Sequence, residues 1–133
     1  MFLNRLDFNS KEVFLFLSKY IIQADSSFVE IEEVLINKYL EEMNITNIKF
    51  EKNESLLQEY IKRVTNKEHQ KIILIELLGI VYNDNVMTSI EKEIIDTIVD
   101  IWNINSSLVV VYGEWSKNLL SLYVQGEALF ELN

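Results

Sequence analysis

The sequence reads Ile21-Ile22-Gln23-Ala24-Asp25 and, fifty-nine residues further on, Ile80-Val81-Tyr82-Asn83-Asp84. The same offset relates five later pairs of residues of the same or similar type. In order, Glu32, Leu35, Ile36, Asn44 and Ile45 correspond to Glu91, Ile94, Ile95, Asn103 and Ile104. Each copy has an apolar helix, an Asp, a short turn, and a second helix. Self-similarity at a fixed period indicates one supersecondary unit used twice. We therefore predict two helix–turn–helix halves, at about 10–45 and 69–104.

Length and composition indicate a single domain. The chain has 133 residues and a mass of 15.7 kDa, and 49% of its residues are hydrophobic, which is enough for one buried core over residues 1–133. It has no Cys and no secretory pattern, so we expect a cytoplasmic protein. The longest apolar run, Ile72 to Tyr82, is interrupted by Glu76 and is much shorter than a membrane span of roughly 20 residues. We expect no insertion into a membrane.

The net charge is −9 and is uneven along the chain. Residues 72–133 hold two Lys against nine acidic residues. A surface of this sign repels phosphate, so we expect no nucleic-acid partner, whereas cations and basic partners remain compatible. The alternative is that the acidic charge only keeps an apolar protein soluble.

The pattern of residues predicts an all-α fold. The chain has no Pro and three Gly, and its apolar residues recur at spacings of three and four. Capping-box pairs stand at Asn9 with Glu12, Thr65 with Glu68, and Thr88 with Glu91. We predict a compact bundle of six helices, at about 10–24, 29–43, 54–64, 66–82, 88–102 and 106–131.

The terminal helix, about 106–131, is apolar around much of its circumference. Its apolar residues and one Gly recur at alternating spacings of four and three: Leu108, Tyr112, Trp115, Leu119, Leu122, Gly126 and Leu129. Such a helix lies centrally in a fold or forms an interface between protomers. We favour the central position, with Trp115 and Leu119 buried by both halves, and keep a homo-oligomer through this helix as the alternative.

The duplicated acidic residues are the candidate site. In each copy an Asp follows an apolar helix and a Glu stands seven residues later, which gives Asp25, Glu32, Asp84 and Glu91. One interpretation is structural, because Asp favours turns and Glu favours the first turn of a helix. If the four carboxylates share a cleft, their oxygen atoms suit Ca²⁺, Mg²⁺ or Mn²⁺. The spacing does not match an EF-hand.

The sequence offers little for catalysis. It has no Gly-rich phosphate loop and no serine in a nucleophile-elbow pattern. The single His69 stands near a helix start beside charged residues, where we expect it to be exposed, and Glu76 falls on a stripe that predicts a partly solvated edge. We therefore predict a protein without enzymatic activity.

The chain resembles the TerB-like domain of tellurite-resistance proteins. The resemblance lies in the run from Leu6 to Leu15, its continuation to Ala24-Asp25, the unit from Asp84 to Glu91, and the helix from Trp115 to Phe130. It implies a bacterial helical domain of two related halves that binds a divalent metal through acids near its turns, at the positions of Asp25, Glu32, Asp84 and Glu91. It also implies a context of stress resistance and a partner in membrane-linked complexes. Ser26 and Asn85 stand where the family commonly has Gly.

Two functional hypotheses follow. The first is a non-enzymatic module that binds a hard divalent cation through the duplicated carboxylates. The alternative is a metal-free interaction scaffold, in which the acidic second half or the terminal helix binds a basic or apolar protein partner.

Overall fold

A computed structural model describes residues 1–24, 30–83 and 86–133. Within these ranges the chain forms a short 3-10 helix, six α-helices and no strand, which confirms the all-α prediction. The 3-10 helix spans Leu3–Arg5, and the α-helices are α1 (Phe8–Ala24), α2 (Glu32–Met43), α3 (Glu54–Lys62), α4 (Lys67–Val81), α5 (Ser89–Trp102) and α6 (Ser106–Leu129).

The helix starts confirm one predicted capping box and correct two. At α5 the Thr88 side chain accepts the Glu91 N–H, and Glu91 accepts the Thr88 N–H in return. At α1 the cap is instead Asp7, whose Oδ1 accepts the Ser10 N–H at 2.8 Å. At α4 it is Asn66, whose Oδ1 accepts the His69 N–H at 3.1 Å. Several short polar residues precede each of these helices, and sequence spacing does not decide which of them binds the free N–H groups.

The core is built around α1. Every residue from Val13 to Ile22 is buried, which is nearly three turns and therefore all sides of the helix. The helices α2, α3, α4 and α5 pack against it. Lys19 is buried with the rest, and its ammonium group donates to the Asn47 side chain and to the Ile48 carbonyl of the loop between α2 and α3. Desolvation lowers the pKa of Lys19, and the nearby Glu32 charge opposes that shift.

The helices α2 and α5 end in the same way, fifty-nine residues apart. Asn44 and Asn103 follow them in left-handed conformation, each with φ of 54°. The next N–H groups, of Ile45 and Ile104, donate back to Leu40 and Val99. Asn tolerates this conformation better than most residues and ends helices in this way. The helix starts differ, and the superposition of the two whole halves stays a prediction.

The position predicted for the terminal helix is wrong. Helix α6 packs chiefly on the outer side of α4, and Trp115 and Leu119 remain 40% and 36% exposed. The contact is close at Gly113, where an added Cβ would lie 3.0 Å from the Tyr82 ring, and Lys117 lies 4.7 Å from the centre of that ring. The central helix is α1, because its apolar residues are contiguous and leave no side for solvent.

The second half of α6 should be dispensable for folding. Among residues 121–133 only Gly126 is partly buried, so a chain ending after Leu120 should keep its free energy of unfolding within about 1 kcal/mol of the parent value. Urea denaturation at low protein concentration measures this. A chain ending after Asn105 is the control, and it should be much less stable because it uncovers α4. A loss of several kcal/mol in the first variant would contradict the exposed position of this segment.

The two tryptophans should differ in their contribution to stability. Trp102 is 3% exposed and its Nε1 donates to the Ile61 carbonyl at 2.7 Å, which ties α5 to α3. Trp102→Phe should cost about 1 to 3 kcal/mol, since it removes a buried hydrogen bond and leaves a void. Trp115→Phe is the matched control and should cost less than half as much. Equal losses in urea denaturation would show that the assignment of core and surface is wrong.

Candidate functional site

Two of the four predicted site residues lie outside the described residues. Asp25 follows α1 directly and Asp84 precedes α5, and neither position is described. The predicted convergence of four carboxylates on one cleft therefore stays a prediction.

Glu32 is the first residue of α2 and is half-buried. Its Oε1 accepts a hydrogen bond from Gln23 Nε2 at 3.0 Å, which links the start of α2 to the last turn of α1. Ile31 stands at the N-cap position and provides no side-chain cap, so the acidic residues at the start of α2 supply the favourable charge for the helix dipole. This arrangement suits a structural role.

Glu91 is the third residue of α5 and is 1% exposed. Its Oε1 accepts the Thr88 N–H at 2.9 Å, and the Glu91 N–H donates to Thr88 Oγ1 at 3.2 Å. One carboxylate oxygen is thus engaged in the capping box. Glu32 and Glu91 bind different partners at helix starts of different geometry, one at the first and the other at the third helical position.

In the part of the chain that the structure describes, no three His, Cys, Asp or Glu side chains come together in a way that could hold a metal ion. The cation hypothesis therefore depends on the two aspartates. Glu32 and Glu91 are alike in one respect. Glu32 lies as many residues before Asn44, which follows α2, as Glu91 lies before Asn103, which follows α5.

His69 is not the exposed residue that the sequence suggested. Its side chain is 14% exposed, and Nδ1 lies 3.1 Å from Ser10 Oγ and 3.2 Å from Asp7 Oδ2. The hydrogen bonds from Ser10 lower the pKa of Asp7, and the neighbouring His69 adds to this. The three side chains join the start of α1 to the start of α4, which is a structural role.

Glu76 is partly solvated, as its stripe predicted. Its side chain is 14% exposed, and Oε1 accepts the Phe2 N–H at 2.8 Å. From the other side, Glu42 Oε2 accepts the Leu3 N–H at 3.1 Å. The two carboxylates hold the N-terminal segment between α2 and α4. Both partners are more than thirty residues away in sequence, so helical spacing could not reveal them.

An acidic groove of about 530 Å³ lies between the end of α1, α3 and α5. Its charged lining residues are Lys52, Glu54, Glu93, Asp96 and Asp100. Beside it, Lys92 pairs with Asp96 at 2.8 Å, and this hydrogen bond and charge raise the pKa of Lys92. The groove carries an excess of negative charge, in keeping with the acidic second half, and would favour a positively charged ligand.

An exposed apolar face runs along α6. We define the α6 face by seven exposed side chains: Val111, Trp115, Leu119, Leu122, Tyr123, Leu129 and Phe130. They are 36 to 84% exposed, and they lie on one side of the helix. A cavity of about 280 Å³ borders this face and is lined mostly by apolar side chains, among them Phe2, Ile75, Trp115 and Leu119. The sequence showed the spacing of this face but not its exposure.

Comparisons with known proteins do not assign the chain to a family. No family model matches it, and neither the curated proteins nor the solved structures contain a match. The resemblance to TerB-like domains stays a prediction from the residues quoted above. Among the described helices, none is both long and apolar enough to cross a membrane.

A melting experiment tests the cation hypothesis. Millimolar Ca²⁺, Mg²⁺ or Mn²⁺ should raise the melting temperature, because an ion bound only by the folded state adds about 2.7 kcal/mol at a hundredfold excess over Kd. The double variant Asp84→Asn with Glu91→Gln should lose this gain. Thr88→Ala is the control, since it breaks the same cap at a cost of about 1 kcal/mol and removes no carboxylate. A parent protein that does not respond to any of the three ions would refute cation binding.

Proposed function

We propose that this protein is a non-enzymatic interaction module that binds another protein surface through the α6 face. The observation that carries the proposal is the exposure of this face: within the described chain, its seven apolar side chains remain 36 to 84% exposed. This is the interaction-scaffold hypothesis, with the terminal helix as the binding surface.

The size of the α6 face supports a binding role. At the exposures given above, its side chains present on the order of 900 Å² of apolar surface, whereas the largest patch on a typical monomer is about 300 to 600 Å². Trp115, Tyr123 and Phe130 are among its members, and aromatic side chains are enriched in protein interfaces.

The helix itself also needs a partner. More than a third of α6, from Ser121 to Leu129, is exposed at every residue except the partly buried Gly126. The end of a helix that lacks tertiary packing frays in water. A bound surface would supply that packing and would stabilise this part of α6.

The chemistry of the face favours an uncharged partner surface. The charged side chains of α6 are Glu114, Lys117 and Glu127, and all three stand off the face. The face provides apolar contact area and offers no acid or base to a substrate. The partner should therefore present a complementary apolar surface.

The cation-binding module remains the second candidate. Two observations support it. The helices α2 and α5 end in the same way fifty-nine residues apart, so Glu32 and Glu91 lie at the same distance from the ends of their helices. The chain also resembles TerB-like domains. The melting experiment described above tests it separately from the α6 face.

Photo-cross-linking in cells that produce the protein tests the interaction function. A benzoylphenylalanine in place of Phe130, which is 84% exposed, should form discrete adducts with whatever covers the α6 face. The same group in place of Phe8, which is 65% exposed at the start of α1, is the positional control. Adducts specific to position 130 should disappear in Leu122→Glu and persist in Val124→Glu.

Two results would contradict the proposal. One is the absence of any adduct specific to position 130. The other is a set of adducts that is unchanged by Leu122→Glu, because a charge in the middle of an apolar interface should prevent binding.

A further inference from the structure

We propose that the surface bound by the α6 face is the same face of a second copy of this chain, with the two α6 helices antiparallel. This inference rests on the proposed interaction function and names its partner. Four observations carry it: the spacing along the face, the position of the charges, the match between Trp115 and Gly126, and the area available.

The face has the spacing of a coiled-coil seam. Its central positions alternate by four and three residues, in order Trp115, Leu119, Leu122, Gly126 and Leu129. This is the spacing of a and d positions in a heptad, which place one continuous stripe of side chains against a neighbouring helix. With Leu119 and Gly126 at a positions, the d positions are Trp115, Leu122 and Leu129.

The charges of α6 avoid the seam and its flanks. From Trp115 to Leu129, none of the a, d, e and g positions carries a charge, while Lys117 and Glu127 fall at f and b positions on the far side. The chain has a net charge of −9, so contact between two copies is least opposed where the contact surface itself carries no charge. The face meets this condition, and an isologous contact uses the same patch on both protomers.

Gly126 indicates the partner and its direction. It lies inside a helix, where Gly is destabilising relative to Ala, and no positive φ requires it. A Cβ added there would meet nothing within 4 Å, so packing within the described chain does not require it either. In an antiparallel pair, a positions face d positions, and one register places Leu119 against Leu122 and Gly126 against Trp115.

In the antiparallel register, Trp115, the largest residue of the seam, packs against Gly126, the smallest, of the other copy. The twofold symmetry of the dimer repeats this contact. A parallel pair would instead place Trp115 against Trp115 and Gly126 against Gly126, which leaves one layer crowded and another empty. Complementary volumes favour the antiparallel arrangement.

The antiparallel arrangement also covers the exposed part of the helix. The exposed segment of α6, from Ser121 to Leu129, would lie along earlier turns of the partner's α6. The α6 face presents on the order of 900 Å², which is comparable with the roughly 800 Å² that each partner contributes to a standard stable interface.

Sedimentation equilibrium of the purified full chain tests self-association. We expect a reversible dimer. Leu122→Glu places a charge at the middle of the seam and should raise the dimer dissociation constant by about a hundredfold or more. Val124→Glu is the matched control: Val124 is 58% exposed, close to the 63% of Leu122, but stands at an f position. Both variants should keep the helical circular dichroism that the parent shows when it is dilute enough to be monomeric.

A parent that stays monomeric at high micromolar concentration would overturn the inference, as would a dimer that both variants weaken equally. If the purified protein is monomeric while cellular adducts at position 130 still depend on Leu122, the interaction function stands and the second copy is not the partner. If no such adducts exist, the interaction function itself fails.

Disulfide trapping tests the orientation, because the chain has no cysteine of its own. Leu129→Cys should not form a disulfide-linked dimer on oxidation, since antiparallel helices hold the two positions far apart. An equimolar mixture of Leu119→Cys and Leu122→Cys should form a mixed disulfide. Efficient self-linking of Leu129→Cys would show parallel helices and overturn the proposed register.

Discussion

The burial of α1 on all sides is the constraint on which the rest of the structure depends. Ten consecutive buried residues, from Val13 to Ile22, require cover in every direction, and α2, α3, α4 and α5 provide it. The inner side of α4 is used in this contact, which leaves its outer side for α6. Helix α6 is therefore the outermost layer and is covered on one side only, so its remaining apolar residues stay exposed.

Much of the fold could be predicted from the sequence, because helix formation depends on local patterns. The six helices follow from the apolar spacing, and the cap formed by Thr88 and Glu91 was recognisable from its residue types. The position of α6 was not predictable in this way. An apolar helix must be covered, but its sequence does not say whether the cover comes from its own chain or from another one.

The candidate site was less predictable than the fold, because it depends on contacts between distant residues. Glu91 is a capping residue, as one interpretation of the sequence held, and Glu32 bonds to the end of α1, while the two aspartates lie outside the described residues. The burial of His69 was misjudged because its partner Ser10 is far away in sequence, and the contact of Glu76 with Phe2 was not predictable for the same reason. The seam of α6 was visible as a spacing, and only the fold shows that it is exposed.

Hydrogen exchange at two protein concentrations tests the central claim most directly. That claim is that α1 is held by its own chain and the second half of α6 by a partner. Amides in α1 should exchange only through global unfolding. Amides from Ser121 to Leu129 should exchange quickly in dilute protein and become protected as the concentration rises. Protection of this segment equal to that of α1 at every concentration would contradict the account, and so would fast exchange that concentration does not change.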